Sequence, residues 1–444
     1  MPEMIAAAII SAVGATGTAA TLITIGTYVV TTAVTVFAAK SMAESAMAGL
    51  GDIEANMGAQ IKMSFRTDHP RRLVYGTSKL AGPVAYLATS DAASGDNPDN
   101  KYLHVVMLLG EGPFNGINNV FFGDTDLELT SSGTDSAGNT RWVPASNNKY
   151  AGLVRVKKHL GATSQNADPD LISATSEWTA NHRLRGIAYL YVRLEYDQDT
   201  LASIPNISAI VQGKQVYDPR TNSTVFSNNP ALCIRDFLLS DNGLGASTSE
   251  VDDTRFIEQA NVCDQTVTLD SSGNTQTRYT LDGTVALNTS PVAIMDQMLA
   301  CCVGSIPYVQ GKHQLQVGAA IPNSRNHNIN TSYLAGNVVI QTDGGKKNRI
   351  NAVRGTFMDP ANNYNVVDFA PYTDSTYETE DGEKLWADVA FNFVKDNKRA
   401  QRIAKLLVER NRQSQSLRLN CNLKAFHIAV NDTITFTLDR DGTG

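Results

Sequence analysis

The sequence is poor in charge, in cysteine and in recognisable catalytic spacing. Charged residues make up 18% of its 444 positions, against about 25% in ordinary globular chains. Hydrophobic residues reach 42%, so the low charge does not come with a missing core, and full disorder is excluded. Five cysteines exclude a disulfide-dense secreted scaffold. Lys plus Arg is 37 and Asp plus Glu 44, a formal net charge of −7. That balance argues against a general nucleic-acid binder, which carries a basic domain.

Chemical motifs are missing too. No CxxC pair occurs among Cys233, Cys263, Cys301, Cys302 and Cys421, which removes zinc-ribbon and thioredoxin readings. Burial as small hydrophobes is the expectation for them. None of the seven histidines lies in HExxH or at metal spacing. GxSxG, Walker and EF-hand patterns are absent. No catalytic, cofactor-binding or metal-binding residue is therefore assigned, and no enzyme is expected. The acidic cluster Asp374, Glu378, Glu380, Asp381 and Glu383 could in principle supply paired carboxylates. Its setting beside Gly382 reads instead as a solvated turn.

What is present begins with an unusual leader. Met4 to Ala39 contains no charged residue, where about 20 apolar positions span a bilayer as a helix. No Lys or Arg precedes the run, as a secretory signal would require. A hydrophobic helical segment is expected, self-associating or membrane-active, with a buried helix pair or a conventional anchor as the alternative. As one helix it would reach about 54 Å. Residues 41–60 form a small-residue connector, and globular patterning starts near Ile61.

The body reads as strands joined by tight turns. Arg71–Leu87, His104–Leu109, Ile117–Phe122, Ile187–Glu195 and Ile207–Val211 carry the β-branched and aromatic content of strands. Thr130–Thr140 and Ser146–Lys149 look like loops. Asn229-Pro230 and Ser290-Pro291 are helix starts, a capping residue followed by proline. Glu250, Asp252 and Asp253 suit the first turn of a helix. Tyr308–Val317 reads as a hairpin turning at Gly311-Lys312. Lys395–Arg412 is an amphipathic helix. Its basic face, Lys398, Arg399, Arg402, Lys405, Arg410 and Arg412, reads first as solvated, then as a subunit contact, and least as a phosphate contact. Leu417, Leu419, Cys421 and Leu423 alternate strictly, as do Ile434, Phe436 and Leu438, the period of half-buried strands.

Specific strings then stand out. Asn229-Pro230-Ala231 through Arg235-Asp236-Phe237 to Asp241-Asn242-Gly243-Leu244-Gly245 resembles a segment of the tip attachment (host-specificity, J-type) proteins of long-tailed bacteriophages. Phe256 to Asp264, Arg278-Tyr279 with Leu281-Asp282-Gly283, and Met298 to Gly304 follow in the same order. So do Gly311-Lys312, Asn348-Arg349-Ile350-Asn351 and Ala400 to Ala404. The turn Gly110-Glu111-Gly112-Pro113 resembles that family's early strand-turn-strand. The order is collinear over roughly residues 70–440, while the apolar leader is not a general family feature.

The resemblance implies an α+β, predominantly β fold: tail-tube-like β-barrel domains with α/β insertions, assembled as a trimeric ring. Its expected divisions are leader and connector (1–60), a strand-rich hub domain (61–225), an α+β hub domain (226–325) and a second tube-like domain (326–444), with the natural polypeptide expected to continue. It implies a hub at the distal tip of a virion tail that caps the tube, adapts sixfold to threefold symmetry and passes DNA without binding it specifically. Implied partners are further copies of the chain, the distal tail protein, other tail-tip proteins and the tape-measure protein; host-envelope contact through residues 4–39 is an expectation from the uncharged run itself. The alternatives are a membrane-anchored bacterial surface protein and a tail-associated polysaccharide or cell-wall hydrolase.

Overall fold

The structure, a computed structural model, describes residues 7–9, 28–30, 61–65, 68–90, 100–318, 325–341, 349–413 and 416–437. Period-two strands dominate its first part. One antiparallel sheet runs in the order Val84–Ser90, Tyr102–Glu111, Ile187–Glu195, Val154–His159, Thr140–Val143, Thr130–Thr134. A second is built around Ile207–Asp218, which pairs with Phe114–Phe122, Ser223–Phe226 and Thr77–Leu80. Alternate residues of the two sheets meet in one core. Ala188, Leu190, Val192 and Leu194 of the first face Ile207, Ala209 and Val211 of the second.

The chain passes from one sheet to the other at the corner Gly110-Glu111-Gly112-Pro113. There a Cβ on Gly112 would lie 2.6 Å from the Leu160 carbonyl oxygen and 2.8 Å from the Gly161 Cα. Two backbones touch at that point, and only glycine allows it. The expected loop at Thr130–Thr140 is instead a hairpin, Thr130–Thr134 with Thr140–Val143. Its threonines have strand propensity, and the Ser-Gly-Asn content marks only the turn.

Six α-helices are described: α1 (Pro169–Ala174), α2 (Pro230–Leu239), α3 (Asp253–Asp264), α4 (Pro291–Ala300), α5 (Ser375–Asp381) and α6 (Asn397–Arg412). Asn229 caps α2 through the Ala231 N–H, Asp252 caps α3 through Arg255 N–H, and Asp396 caps α6 through Arg399 N–H. Proline opens α2 and α4, where its missing N–H costs nothing. Phe237, Phe256, Met298, Ile403 and Val408 share one core with Tyr75, Val353 and Phe391. The strand Ala352–Asp359 pairs parallel with Trp386–Phe391 and antiparallel with Asn365–Asp368, and this sheet carries α6. In the hairpin Tyr308–Val309 with Lys312–His313, the turn residues Gln310 and Gly311 both have positive φ.

A further sheet runs in the order Asn326–Asn330, Thr433–Thr437, Tyr28–Val30, Ala7–Ile9, Ser416–Cys421, Leu334–Gln341. Its core is Ile329, Leu417, Leu419, Ile434 and Phe436. Here the expected helical leader is corrected: its described residues, Ala7–Ile9 and Tyr28–Val30, are strands. The run is rich in Val, Thr and Ile, which favour strands over helices, and these six residues pair within the sheet. The rest of the leader lies outside the described residues. No helix among the described residues is long and apolar enough to cross a membrane. The alternation expected through Leu423 ends at Cys421. Leu423 opens a 3-10 turn, Leu423–His427, and is 89% exposed.

Candidate functional site

Several of the chemistry-bearing groups singled out in the sequence are engaged inside the fold. Cys233, Cys263, Cys301 and Cys302 are free thiols in the central core, and burial pushes the thiols of Cys233, Cys263 and Cys301 up. Such thiols are poor nucleophiles and ligands. No group of three His, Cys, Asp or Glu that could hold a metal occurs among the described residues.

The acidic cluster is a short helix and its end, with Glu380 and Glu383 exposed as expected, but two of its carboxylates are engaged. Asp374 caps α5, accepting from the Thr376 and Tyr377 N–H groups. Asp381, at the end of that helix, is buried. It accepts both 2.9 and 2.7 Å bonds from Arg412 Nη1 and one of 2.9 Å from Asn351 Nδ2. Burial alone would raise its pKa, but these donors hold the carboxyl below its ordinary range. A carboxylate so committed is not a general acid. The loop reading failed because the basic partners come from another element.

The basic face of α6 is corrected by the same geometry. Arg399 donates to the Thr280 hydroxyl at 2.9 Å and to the Thr277 carbonyl at 3.1 Å. Arg402 donates to the Arg278 carbonyl, and Arg410 to the Val303 carbonyl at 2.8 Å. These guanidinium groups satisfy backbone acceptors of the chain that covers α6. Lys398 and Lys405 remain exposed.

Sequence reasoning missed a buried polar network on the outer face of the first sheet. Lys157, fully buried, reaches Asp135, Asp168 at 2.7 Å and Asp170 at 3.5 Å. Arg141 grips Asp170 through two nitrogens, at 2.7 and 2.5 Å. Asp168 also caps α1 and binds His159 Nε2 at 2.7 Å, while the His159 ring stacks on Tyr189 at 4.3 Å. Burial would raise the Asp135 carboxyl, but Lys157 and Asn139 hydrogen bonds bring it down to about 2. Farther along this face, His104 bonds Ser90 Oγ and Tyr191 Oη, each at 2.8 Å. Burial, with Arg193 nearby, lowers its pKa to about 4. Odd-numbered Arg155, Lys157 and His159 opposite even-numbered Val154 and Val156 were the available signal: a strand polar on a face that proves buried.

These networks tie elements together, and some large apolar side chains remain exposed. Leu423 and Phe426 are 89% and 67% exposed, and Val339 and Ile340, on the outer strand of the last sheet, 55% and 47%. The strand Leu334–Gln341 contains no charge and no proline, the devices that usually protect an edge. Isolated exposed apolar residues are ordinary, and others, such as Phe65, Tyr196 and Val292, lie elsewhere in the fold. Asn422 N–H donates to the Tyr333 carbonyl at 2.8 Å, joining that turn to the start of the edge strand.

No protein-family model matches the chain. It is 22% identical over 433 residues to the baseplate hub protein pb3 of Escherichia phage T5, a match covering 83% of this chain and 44% of the relative. The chain thus spans less than half of that relative's length. In fold it is similar to a chain from the virion of a native gene transfer agent particle, with a TM-score of 0.55, 12% identity, and coverage of 86% of this chain and 81% of that one. The fold is therefore predominantly β and shared with a chain of a virion particle.

Proposed function

We propose that this chain is a hub subunit at the distal end of a phage-type tail, acting by assembly and not by catalysis. The observation that supports it most is the likeness to a baseplate hub protein over most of the chain. The collinear order of the J-type tip attachment strings agrees with it, as does the commitment of Asp381, Lys157 and the α6 arginines to internal contacts. In this reading three copies form a ring that caps the tube and adapts sixfold to threefold symmetry. The distal tail protein, other tip proteins and the tape-measure protein are its neighbours. DNA passes through the ring, and a net charge of −7 limits sticking of phosphates to the wall. The apolar leader closes the channel or meets the host envelope on triggering.

Imaging of intact particles with this polypeptide labelled tests the reading. Three copies at the far tail extremity support it. Absence from that extremity, or six equal copies, overturns it. Removal of residues 4–39 should impair DNA delivery; normal infectivity after that removal ends the delivery role.

A further inference from the structure

Arg155 and Arg193 are registered partners on the neighbouring strands Val154–His159 and Ile187–Glu195. Directly opposed residues on one face have Cβ atoms about 5 Å apart, and like charges so placed repel. Both side chains lie on the outer face of the first sheet, two positions from the registered pair Lys157 and Tyr191, and both are half-buried. Nothing beside them offsets the pair. The carboxylates of this face are bonded elsewhere: Asp135 and Asp168 to Lys157, Asp170 to Arg141, and Glu195 to Lys101 at 2.8 Å. The Arg155 side chain has no hydrogen bond or ion pair among the described residues. Burial lowers its pKa, Arg193 and Arg141 lower it further, and Asp170 and Tyr191 oppose them more weakly. The Arg193 guanidinium lies 4.3 Å from the centre of the Tyr102 ring, and its Nε is buried without a hydrogen-bond partner. Buried donors are ordinarily paired. On its other side Arg193 is registered with His104, which is neutral at pH 7 and already holds Ser90 and Tyr191.

We propose that Arg155 and Arg193 form an anion site on the outer face of the first sheet that takes a divalent phosphate group, either the free ion or the end of a phosphate monoester. Each guanidinium presents a rigid planar fork of N–H donors, matched to phosphate oxygens. A terminal phosphate carries a charge of about −1.5 to −2 at pH 7 and three strong acceptor oxygens, so one group answers two adjacent arginines. A single carboxylate or a phosphodiester carries one negative charge and leaves one arginine uncompensated. Bound there, the phosphate replaces a cross-strand repulsion by two charge-assisted contacts. The proposal rests on the arginine pair and stands or falls independently of the hub reading.

Thermal unfolding of the full chain in rising inorganic phosphate, with ionic strength held constant by chloride, tests it. The midpoint should rise and the response saturate with an apparent dissociation constant of about 1 mM or tighter. Arg155→Met removes the repulsion, so without phosphate it should be at least as stable as the parent, while its phosphate affinity should fall by at least about tenfold. Arg155→Lys keeps the charge and loses the fork, and should bind between the two. Glycerol phosphate separates the sources, and either result supports the site: a matching response means a phosphate carried on a larger molecule is admitted, and a response to inorganic phosphate alone means the free ion. No saturable response in the parent, or an equal response in Arg155→Met, overturns the proposal. Tighter binding of a single-stranded oligonucleotide without a terminal phosphate also overturns it, in favour of a nucleic-acid backbone contact.

Discussion

Lys395 is a charge the fold would be better without, and replacing it should stabilise the protein in a pH-dependent way. It sits just before the α6 cap Asp396, and its Nζ has no hydrogen-bond partner among the described residues. The amine lies 4.8 Å from the centre of the Tyr364 ring. Burial lowers its pKa from 10.5 to about 8, with Asp282 pulling weakly the other way. At 1.36 kcal/mol per pKa unit, a displacement of that size corresponds to about 3 kcal/mol against the charged form. The attraction to the Tyr364 face returns about 1 kcal/mol. Lys395→Met keeps the length of the stem and removes the ammonium, so a net gain of about 2 kcal/mol is expected at pH 7. The sign follows from linkage. Below pH 8 the lysine is charged in both folded and unfolded chains, and the fold bears the full penalty. Between pH 8 and 10.5 the folded amine is neutral while the unfolded one is still charged, so the penalty shrinks and then disappears. Urea denaturation followed by hydrogen exchange in α6 at pH 7 and at pH 9.5 should show the variant's advantage at the first and most of it gone at the second. A variant no more stable than the parent at pH 7, or one whose advantage ignores pH, would refute the reasoning.

Other perturbations test the buried networks. Lys157→Met leaves Asp135 and Asp168 facing each other without their shared cation, and should cost about 3–5 kcal/mol, read as a lower thermal midpoint by calorimetry. Lowered in the fold to about 4, the His104 pKa makes its contribution fully present above pH 6.5 and progressively lost between 6.5 and 4. A His104→Gln variant should flatten the stability profile in that window, and an unchanged profile contradicts the assignment. Thiol labelling should modify Cys421, which is only half-buried, before the four core cysteines, and all five after denaturation; fast labelling of Cys301 or Cys302 in the native protein would contradict their burial.

Local order was legible wherever backbone chemistry is local. Asn229-Pro230 and Ser290-Pro291 mark helix starts because a cap and a proline act on the adjacent turn, and α2 and α4 begin at those prolines. The β-branched and aromatic content of Ile187–Glu195 marked a strand because such side chains suit a pleated, half-buried surface, and the strand spans those residues. The roles of charged side chains were not legible. Arg399 meets Thr280 across 119 positions of sequence, and Arg412 meets Asp381 across 31. An amphipathic pattern says which side of a helix is polar, not whether that side meets water or another segment's carbonyls. The acidic cluster was misread for the same reason.

The sequence by itself determined the strand-rich class, the starts of α2 and α4 and the burial of four of the five cysteines, because propensity, periodicity and capping act within a few residues. Only the tertiary structure decided which polar face is buried, where Lys157 finds its carboxylates, and that Ala7–Ile9 and Tyr28–Val30 pair with strands some four hundred residues away. Those outcomes depend on which edges and faces are left open once the local elements have formed, and open edges belong to the assembled sheet, not to any one segment.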